Sequence, residues 1–430
     1  MDKFLKKGRT LLISGLASII LTTGSVAALG FTLPIGKKIV VRKNKAIPFE
    51  AEEDSTLKIV LNENLDMDEI TGSTIPDSWE IITDRILKLP MPCTVLVLGD
   101  VDCGKNTFCI FLANQMVAYG LKPAIMDADI GQSEICPPTT IGLTSITEPT
   151  IDLFSLNTEK TFFVGLTSPN RAIERIISGL TYLKRGFFGT LEHILIVNTD
   201  GWIREEAARK YKLKMIKALN PEAIVALQNT DELEPLLEAT SKTSKVLRVK
   251  CPAIIKTRGK EIRKELREQS YKKFLDNATI RCIPISRTRF EFPLLGNSIF
   301  LAPNKVTLLD GILDNKTLYC RENLKEFFVV TEGNSKNIQK KATIREQPRK
   351  RLLVAKKQDL LGLLVGLCNN KYRFLGIGII SDMDYENRIL KVITPCKERV
   401  DIVQVGQVKV DKFGRKKGYT KTTLANQMPK

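Results

Sequence analysis

Apolar positions along this chain change their period twice. From residue 1 to about 75 they fall in short alternating runs separated by Gly, Pro and Asn, such as Ile39–Val41 before Lys43-Asn44 and Lys58–Leu61 before Asn62-Glu63. A period of two buries one face of a strand, so residues 1–75 read as a β-rich domain. Ser78–Leu89 then places Trp79, Ile82, Ile86 and Leu89 on one helical face. Through residues 76–280 apolar runs alternate with helical stretches. The runs are Thr94–Leu98, Ala124–Met126, Ile194–Val197, Ala223–Leu227 and Lys245–Val249; the helices include Thr107–Tyr119, Arg171–Lys184 and Arg204–Leu219. That alternation predicts an α/β domain with a mainly parallel sheet covered by helices on both faces. Residues 281–430 return to short strands at Leu361–Leu367, Phe374–Ile380 and Ile389–Thr394. The polar, basic stretch Lys336–Arg351 interrupts this C-terminal β-rich domain as a loop or linker, and a basic tail over 411–430 is expected to fray.

Composition alters this picture in three ways. The chain has 430 residues and a net charge of +18, which points to a polyanionic partner such as nucleic acid. Its nine cysteines include no CxxC pair, so reduced thiols in a cytoplasmic protein fit better than a zinc site or a disulfide framework. The single histidine, His193, precedes the apolar run Ile194–Val197 and reads as a core residue, which removes catalytic triads that need a histidine base.

The chemistry concentrates after the first strand of the central region. Gly99-Asp100-Val101-Asp102-Cys103-Gly104-Lys105 fits GxxxxGK, a P-loop, with an apolar strand before it and a helix after it. Glycines let backbone N–H groups wrap a β-phosphate, the helix N-terminus adds positive partial charge, and Lys105 neutralises the β- and γ-phosphates. A nucleoside triphosphate, ATP, is therefore the expected cofactor. The next position normally carries a Ser or Thr hydroxyl for Mg²⁺, with Mn²⁺ as a substitute. Here it is Asn106, with Thr107 one residue late. Either the Asn106 carbonyl oxygen serves the metal, directly or through water, or the metal site is weakened. Met126-Asp127-Ala128-Asp129 ends the second strand and puts two carboxylates beside the loop, suited to metal binding or to proton abstraction. One competing reading concerns the N-terminus. Lys6, Lys7 and Arg9 before apolar Leu11–Gly30 imitate a secretory signal. Breaks at Ser14-Gly15, Thr23-Gly24 and Gly30 favour strands, and export would part an ATP-dependent enzyme from its ATP. No other stretch is long and apolar enough to span a bilayer, so no membrane is expected as a partner.

Asp129-Ile130-Gly131-Gln132, followed by Pro137-Pro138-Thr139-Thr140-Ile141-Gly142, resembles the polynucleotide 5′-hydroxyl kinase family. That family includes the eukaryotic pre-mRNA cleavage-complex kinase, the nucleolar rRNA-processing kinase and archaeal relatives. Its DxxQ element matches Asp129 to Gln132, its TxGW clasp matches Thr199-Asp200-Gly201-Trp202, and its RxxxR lid matches Arg263 to Arg267. Phe163–Pro169 is similar to the family's Gly-x-Thr-Ser-Pro segment. The resemblance spans residues 95–275 and is nearest to the archaeal members. It implies transfer of the ATP γ-phosphate to the 5′-hydroxyl of RNA, favoured, or of DNA.

In that frame Lys105, Asp129, Arg263 and Arg267 are the expected catalytic residues, with Asp129 as general base. Asn106 and Asp129 are the expected metal ligands. Gly99, Asp100, Val101, Asp102, Cys103, Gly104, Lys105, Asn106 and Thr107 hold the nucleotide. Gln132 and Trp202 meet the nucleic-acid end, Trp202 by stacking, while Thr167 and Thr199 donate hydrogen bonds to phosphate. A core tryptophan and a charged surface helix over Lys256–Lys273 are the bland readings of Trp202 and of the arginine pair. Asn106 also admits a different class of function, a non-catalytic ATP-bound scaffold in an RNA-processing assembly. A GTPase is disfavoured because Asn198-Thr199-Asp200 lacks the lysine of a base-reading motif.

Overall fold

The computed structural model describes residues 1–61, 66–187, 193–240, 244–254, 257–291, 299–300, 310–311, 313, 315–322, 326–332, 351–384, 386–411 and 414–419. The chain forms two compact units. The first comprises Met1–Cys136, Ile141–Thr161 and Ile176–Leu266; the second comprises Pro137–Thr140, Phe162–Arg175 and Arg267–Lys430.

The first unit begins with two antiparallel sheets, as the period-two pattern requires. In the four-stranded sheet, Ile19 of strand Ala17–Thr23 lies opposite Ile59 and Ile39 of its two neighbours, and this cross-strand row is buried. The five-stranded sheet pairs Arg9–Ser14 with Ala46–Ala51 and Asp66–Thr71. The run that imitates a secretory signal thus folds as strands Arg9–Ser14, Ala17–Thr23 and Val26–Ala28. Helix α1, Asp77–Leu87, buries Trp79, Ile82 and Ile86 as its spacing predicts.

The central sheet has seven strands in the order Lys160–Phe163, Thr140–Ser145, Lys122–Asp127, His193–Asn198, Cys93–Gly99, Ala223–Leu227 and Lys245–Val249. The last five are mutually parallel. Val95–Leu98, Ile194–Val197 and Ala223–Leu227 are fully buried, the continuous apolar pattern of strands covered on both faces. The accompanying helices are α2 (Lys105–Ala118), α3 (Ile173–Phe187), α4 (Glu206–Leu219), the short α5 (Glu234–Leu237) and α6 (Lys260–Phe274). Strand Thr140–Ser145 runs antiparallel to Lys122–Asp127, with Asp127 opposite Gly142. The βα alternation did not signal this edge strand, because a chain reversal over residues 128–139 takes the place of a crossover helix.

The N-terminal sheets and the central sheet share one apolar core in this unit. Trp79 sits in it with no exposure, edge-on to Phe108 and Phe111 of α2 at centroid distances of 5.0 and 5.5 Å. Its indole N–H donates to Lys250 O at 3.0 Å. Asn114 Nδ2 and Gln115 Nε2 of α2 donate to Leu29 O and Gly30 O at 2.8 and 2.7 Å. Gly30 has φ +83°, and a Cβ there would meet the Phe111 ring at 2.8 Å. Trp79→Ala removes the ring from this core without touching the loop chemistry; it is expected to cost about 3–5 kcal/mol in urea unfolding.

The second unit is β-rich. Its larger sheet orders Thr279–Pro284, Ile389–Thr394, Phe374–Asp384, Leu363–Cys368, Ile402–Val410 and Arg289–Glu291. Lys416–Tyr419 pairs with Ile402–Val410, so this part of the expected frayed tail is a strand: Val408 and Tyr419 are partners across it. A four-stranded sheet joins Ile299–Phe300, Thr317–Glu322, Glu326–Thr331 and Arg351–Lys356. The expected basic loop lies outside the described residues except for Arg351, which opens the last of these strands, and the His193 side chain is likewise outside the described side chains. No helix among the described residues is long and apolar enough to cross a membrane.

Candidate functional site

Residues 100–104 link strand Cys93–Gly99 to α2, and backbone geometry shapes them. Asp102 has φ +58° and Gly104 has φ +94°, left-handed conformations that turn successive N–H groups toward one side. A Cβ on Gly104 would meet Pro252 Cδ at 2.9 Å. Lys105 starts α2, is buried, and donates to Gly99 O at 3.0 Å and Asp100 O at 2.6 Å. The loop carries two acidic side chains, and each takes an arginine. Asp100 pairs with Arg204, and Asp102 pairs with Arg263 at 2.7 Å. Asp102 also accepts the Arg258 N–H at 2.9 Å. Arg263, an expected lid residue, thus reaches the loop itself. Two positive side chains offset the negative charge that Asp100 and Asp102 bring to a phosphate cradle.

Asp129 lies just past the end of strand Lys122–Asp127 and is half-buried. Its Oδ1 accepts the N–H groups of Gly131 and Gln132, both at 3.0 Å, which fixes the carboxylate. Burial and the neighbouring Asp200 carboxylate raise its pKa, while Lys105 acts in the opposite sense. Lys105, Asp129 and Asp200 therefore share one electrostatic environment. Gln132 Nε2 donates to Arg263 O at 3.4 Å, so the DxxQ turn touches the helix that carries the lid.

Asp127 is fully buried between Asn198 Nδ2 (3.0 Å), Ser133 Oγ (2.8 Å) and the Glu134 N–H (2.9 Å). Burial, followed by the Asp129 charge, pushes its pKa up to about 6. Asn198 Nδ2 also donates to Asn106 Oδ1 at 3.0 Å. One buried amide thereby ties the unusual Asn106 to the acidic strand end. Asn198 Oδ1 is buried without a hydrogen-bond partner among the described residues, beside the oxygens of Asn106 and Asp127. Such an all-oxygen donor set suits a hard divalent cation. Mg²⁺ characteristically takes one or two protein carboxylates, with waters and phosphates completing its shell. The described residues contain no cluster of three or more His, Cys, Asp or Glu that could hold a metal ion.

The TxGW segment follows strand His193–Asn198. Thr199 corrects an expectation: it is fully buried and its hydroxyl donates to Val97 O at 2.8 Å, so it braces two strands and does not face a phosphate. Gly201 is required by close approach, because a Cβ there would lie 2.6 Å from Val101 N of the phosphate loop. Trp202 is half-buried in the loop before α4, its ring 5.9 Å from that of Tyr211. Asp200 organises the segment. It accepts from the Trp202 N–H at 3.0 Å, Tyr211 OH at 3.1 Å and Lys212 Nζ at 3.0 Å. Lys212 has no exposure, and burial lowers its pKa against the pull of Asp200. Lys212→Met leaves Asp200 as an uncompensated, nearly buried charge; it is expected to destabilise the fold by about 3–5 kcal/mol in chemical denaturation.

Thr167 and Arg267 belong to the second unit. Thr167 Oγ1 receives Lys416 Nζ at 3.3 Å. Arg267 is half-buried, with a buried Nε that has no partner among the described residues. Sequence reasoning missed Asn198, Arg204 and Lys212. Only Lys212 left a readable signal: a lysine on the apolar stripe Ala208, Met215, Leu219 of α4, all buried.

A glycine-shaped loop between a parallel strand and a helix, beside a strand-end carboxylate, defines a P-loop nucleotide-binding protein of α/β class. Residues 99–277 match the family described as mRNA cleavage and polyadenylation factor CLP1 P-loop. The chain is similar to the polynucleotide 5′-hydroxyl kinase family. It is 29% identical over 357 residues to a polyribonucleotide 5′-hydroxyl-kinase of Pyrococcus furiosus, covering 80% of this chain and 95% of that protein. A protein of the same name from Methanocaldococcus jannaschii is 29% identical over 337 residues, 76% of this chain and 90% of that one. The solved structure of a wild-type Clp1p–Pcf11p complex has the same fold, with a TM-score of 0.69 at 13% identity over 95% of this chain and 97% of that one.

Proposed function

We propose that this protein is an ATP-dependent polynucleotide 5′-hydroxyl kinase that acts on RNA and also accepts DNA. The observation that carries the reading is the shared environment of Lys105, Asp129 and the Asp200-anchored clasp, set beside a phosphate-wrapping loop. ATP lies along residues 99–107, with Lys105 on its β- and γ-phosphates. Asp129, held by two N–H groups and raised in basicity, takes the proton of the attacking 5′-hydroxyl. Trp202 offers its face to the terminal base, and Gln132 orients the acceptor end. Arg263 and Arg267 serve the transferring phosphoryl group. Asp129 and Asn106 would hold Mg²⁺, which would supply charge neutralisation at the phosphates. The cytoplasm is the compartment, a reading supported by ATP dependence and nine free cysteines. Label should pass from γ-labelled ATP to a 5′-hydroxyl oligoribonucleotide, and not to the same oligomer bearing a 5′-phosphate. The absence of transfer in both Mg²⁺ and Mn²⁺, from protein that binds ATP, would sink the reading.

A non-catalytic nucleotide-bound scaffold is the second reading, and Asn106 is its support. The Asn106 oxygen already accepts the Asn198 N–H and so has less to give a metal. Asn106→Ser separates the two readings in single-turnover assays. The kinase reading expects the Ser variant to transfer label within about threefold of wild type, under ~1 kcal/mol. The scaffold reading expects activity to appear only in the Ser variant.

A further inference from the structure

We propose that Cys103 and Cys251 form a peroxide-reactive dithiol that closes to a disulfide within the phosphate-binding loop and turns nucleotide binding off. The inference rests on the reading of residues 99–107 as the nucleotide site. Cys103 immediately precedes Gly104, and Cys251 follows strand Lys245–Val249. The two thiols act on each other electrostatically, each shifting the titration of the other. Their chain segments run in contact, since Pro252 packs against Gly104 closely enough to exclude a Cβ. Cys103 Sγ lies 3.8 Å from Lys105 Nζ, the ammonium that serves the phosphates. Each cysteine is 6% exposed, leaving a small opening for a small oxidant.

The pair divides the work. The neighbouring Cys251 and the Lys105 charge hold the Cys103 thiol below the ordinary thiol range, while Cys251 is pushed up. Cys103 is thus the nucleophile and Cys251 the resolving thiol. By contrast, burial pushes up Cys93, Cys109, Cys320 and Cys368. The oxidant is a hydroperoxide. The Cys103 thiolate sulfur attacks the peroxide oxygen, the O–O bond breaks, and the departing oxygen leaves as water or alcohol with a proton. Cys103 becomes a sulfenic acid, oxidised by two electrons. The Cys251 sulfur then attacks the Cys103 sulfur, its proton goes to the leaving hydroxide, and the S–S bond forms with release of water. The disulfide ties residue 103 to residue 251 between the two left-handed residues, Asp102 and Gly104, whose geometry aims the loop N–H groups. It also draws the Cys103 sulfur into a bond beside Lys105, so the loop can no longer wrap a phosphate.

The full-length chain is treated with hydrogen peroxide and quenched, and one portion is digested with trypsin without reduction. The expected mass is that of peptide 89–105 joined to peptide 251–256, less two hydrogens, and fragmentation should place the link at Cys103 and not at Cys93 of the same peptide. Equilibrium dialysis with labelled ATP should show affinity reduced by about tenfold or more, ~1.4 kcal/mol, and recovered with dithiothreitol. Cys251→Ser should bind ATP like wild type. After peroxide it should carry a dimedone-reactive sulfenic acid at Cys103 and no cross-link. A protein that resists linkage of 103 to 251 while other thiols oxidise overturns the proposal, as does a linked protein whose ATP affinity is unchanged. Reduced wild type that binds no ATP contradicts the nucleotide-site reading instead, and the peptide mass still reports on the dithiol.

Discussion

Asp129→Asn lowers turnover by about 10²–10⁴-fold and leaves ATP affinity within a factor of two or so, the signature of a lost general base. Asparagine is the informative replacement. Its side-chain oxygen can still accept the Gly131 and Gln132 N–H groups that Asp129 accepts, so the turn survives. What is removed is the negative charge and the proton acceptor. The raised pKa of Asp129 sharpens the expectation, because a more basic carboxylate takes a hydroxyl proton more readily near neutrality. Rapid-quench kinetics with saturating ATP and 5′-hydroxyl RNA checks it. Unchanged turnover would move the base elsewhere, Asp127 being the nearest candidate.

Lys105→Ala should act on both substrate affinity and rate. In the proposed role Lys105 is the cation on the β- and γ-phosphates, and its loss would remove that charge stabilisation. The expected fall in kcat/KM for ATP is about 10²–10³-fold, the usual scale for deleting one electrostatic contact to a reacting group. The fold should survive, since Lys105 contributes two hydrogen bonds to loop carbonyls and no apolar core. Titration of ATP against the variant, alongside its thermal unfolding, separates loss of binding from loss of structure.

Much of the architecture was legible in the chain because its elements are periodic. The strand Cys93–Gly99, the helix bearing Trp79 and the strand Ile389–Thr394 all announce themselves by spacing. The antiparallel strand Thr140–Ser145 did not, because only the path of the preceding turn distinguishes it from a parallel one. The short strand Lys416–Tyr419 hid in a basic, low-hydropathy tail; it is held by pairing with Ile402–Val410, a long-range contact that local pattern does not encode.

The site was legible as a motif and less so as a set of contacts. Motif order placed Asp129, Trp202 and Arg263 in one chemistry, but a motif does not say which groups are already committed. The Thr199 hydroxyl is committed to Val97 O, and Asp200, nominally the variable position of TxGW, is the residue that anchors the clasp. Asn106 looked like a bare departure from the P-loop rule. The structure gives it a partner, Asn198, and through that partner a link to Asp127.

Transfer of the ATP γ-phosphate to a nucleic-acid 5′-hydroxyl is read from the position of the transferred label. Wild-type protein is incubated with γ-labelled ATP, Mg²⁺ and a 5′-hydroxyl oligoribonucleotide, and the product is digested to mononucleotides. Label is expected solely on the 5′ phosphate of the first nucleotide, and absent with Asp129→Asn and with an acceptor already phosphorylated at that end. Label released only as inorganic phosphate, or found on the protein or an internal position, would contradict it.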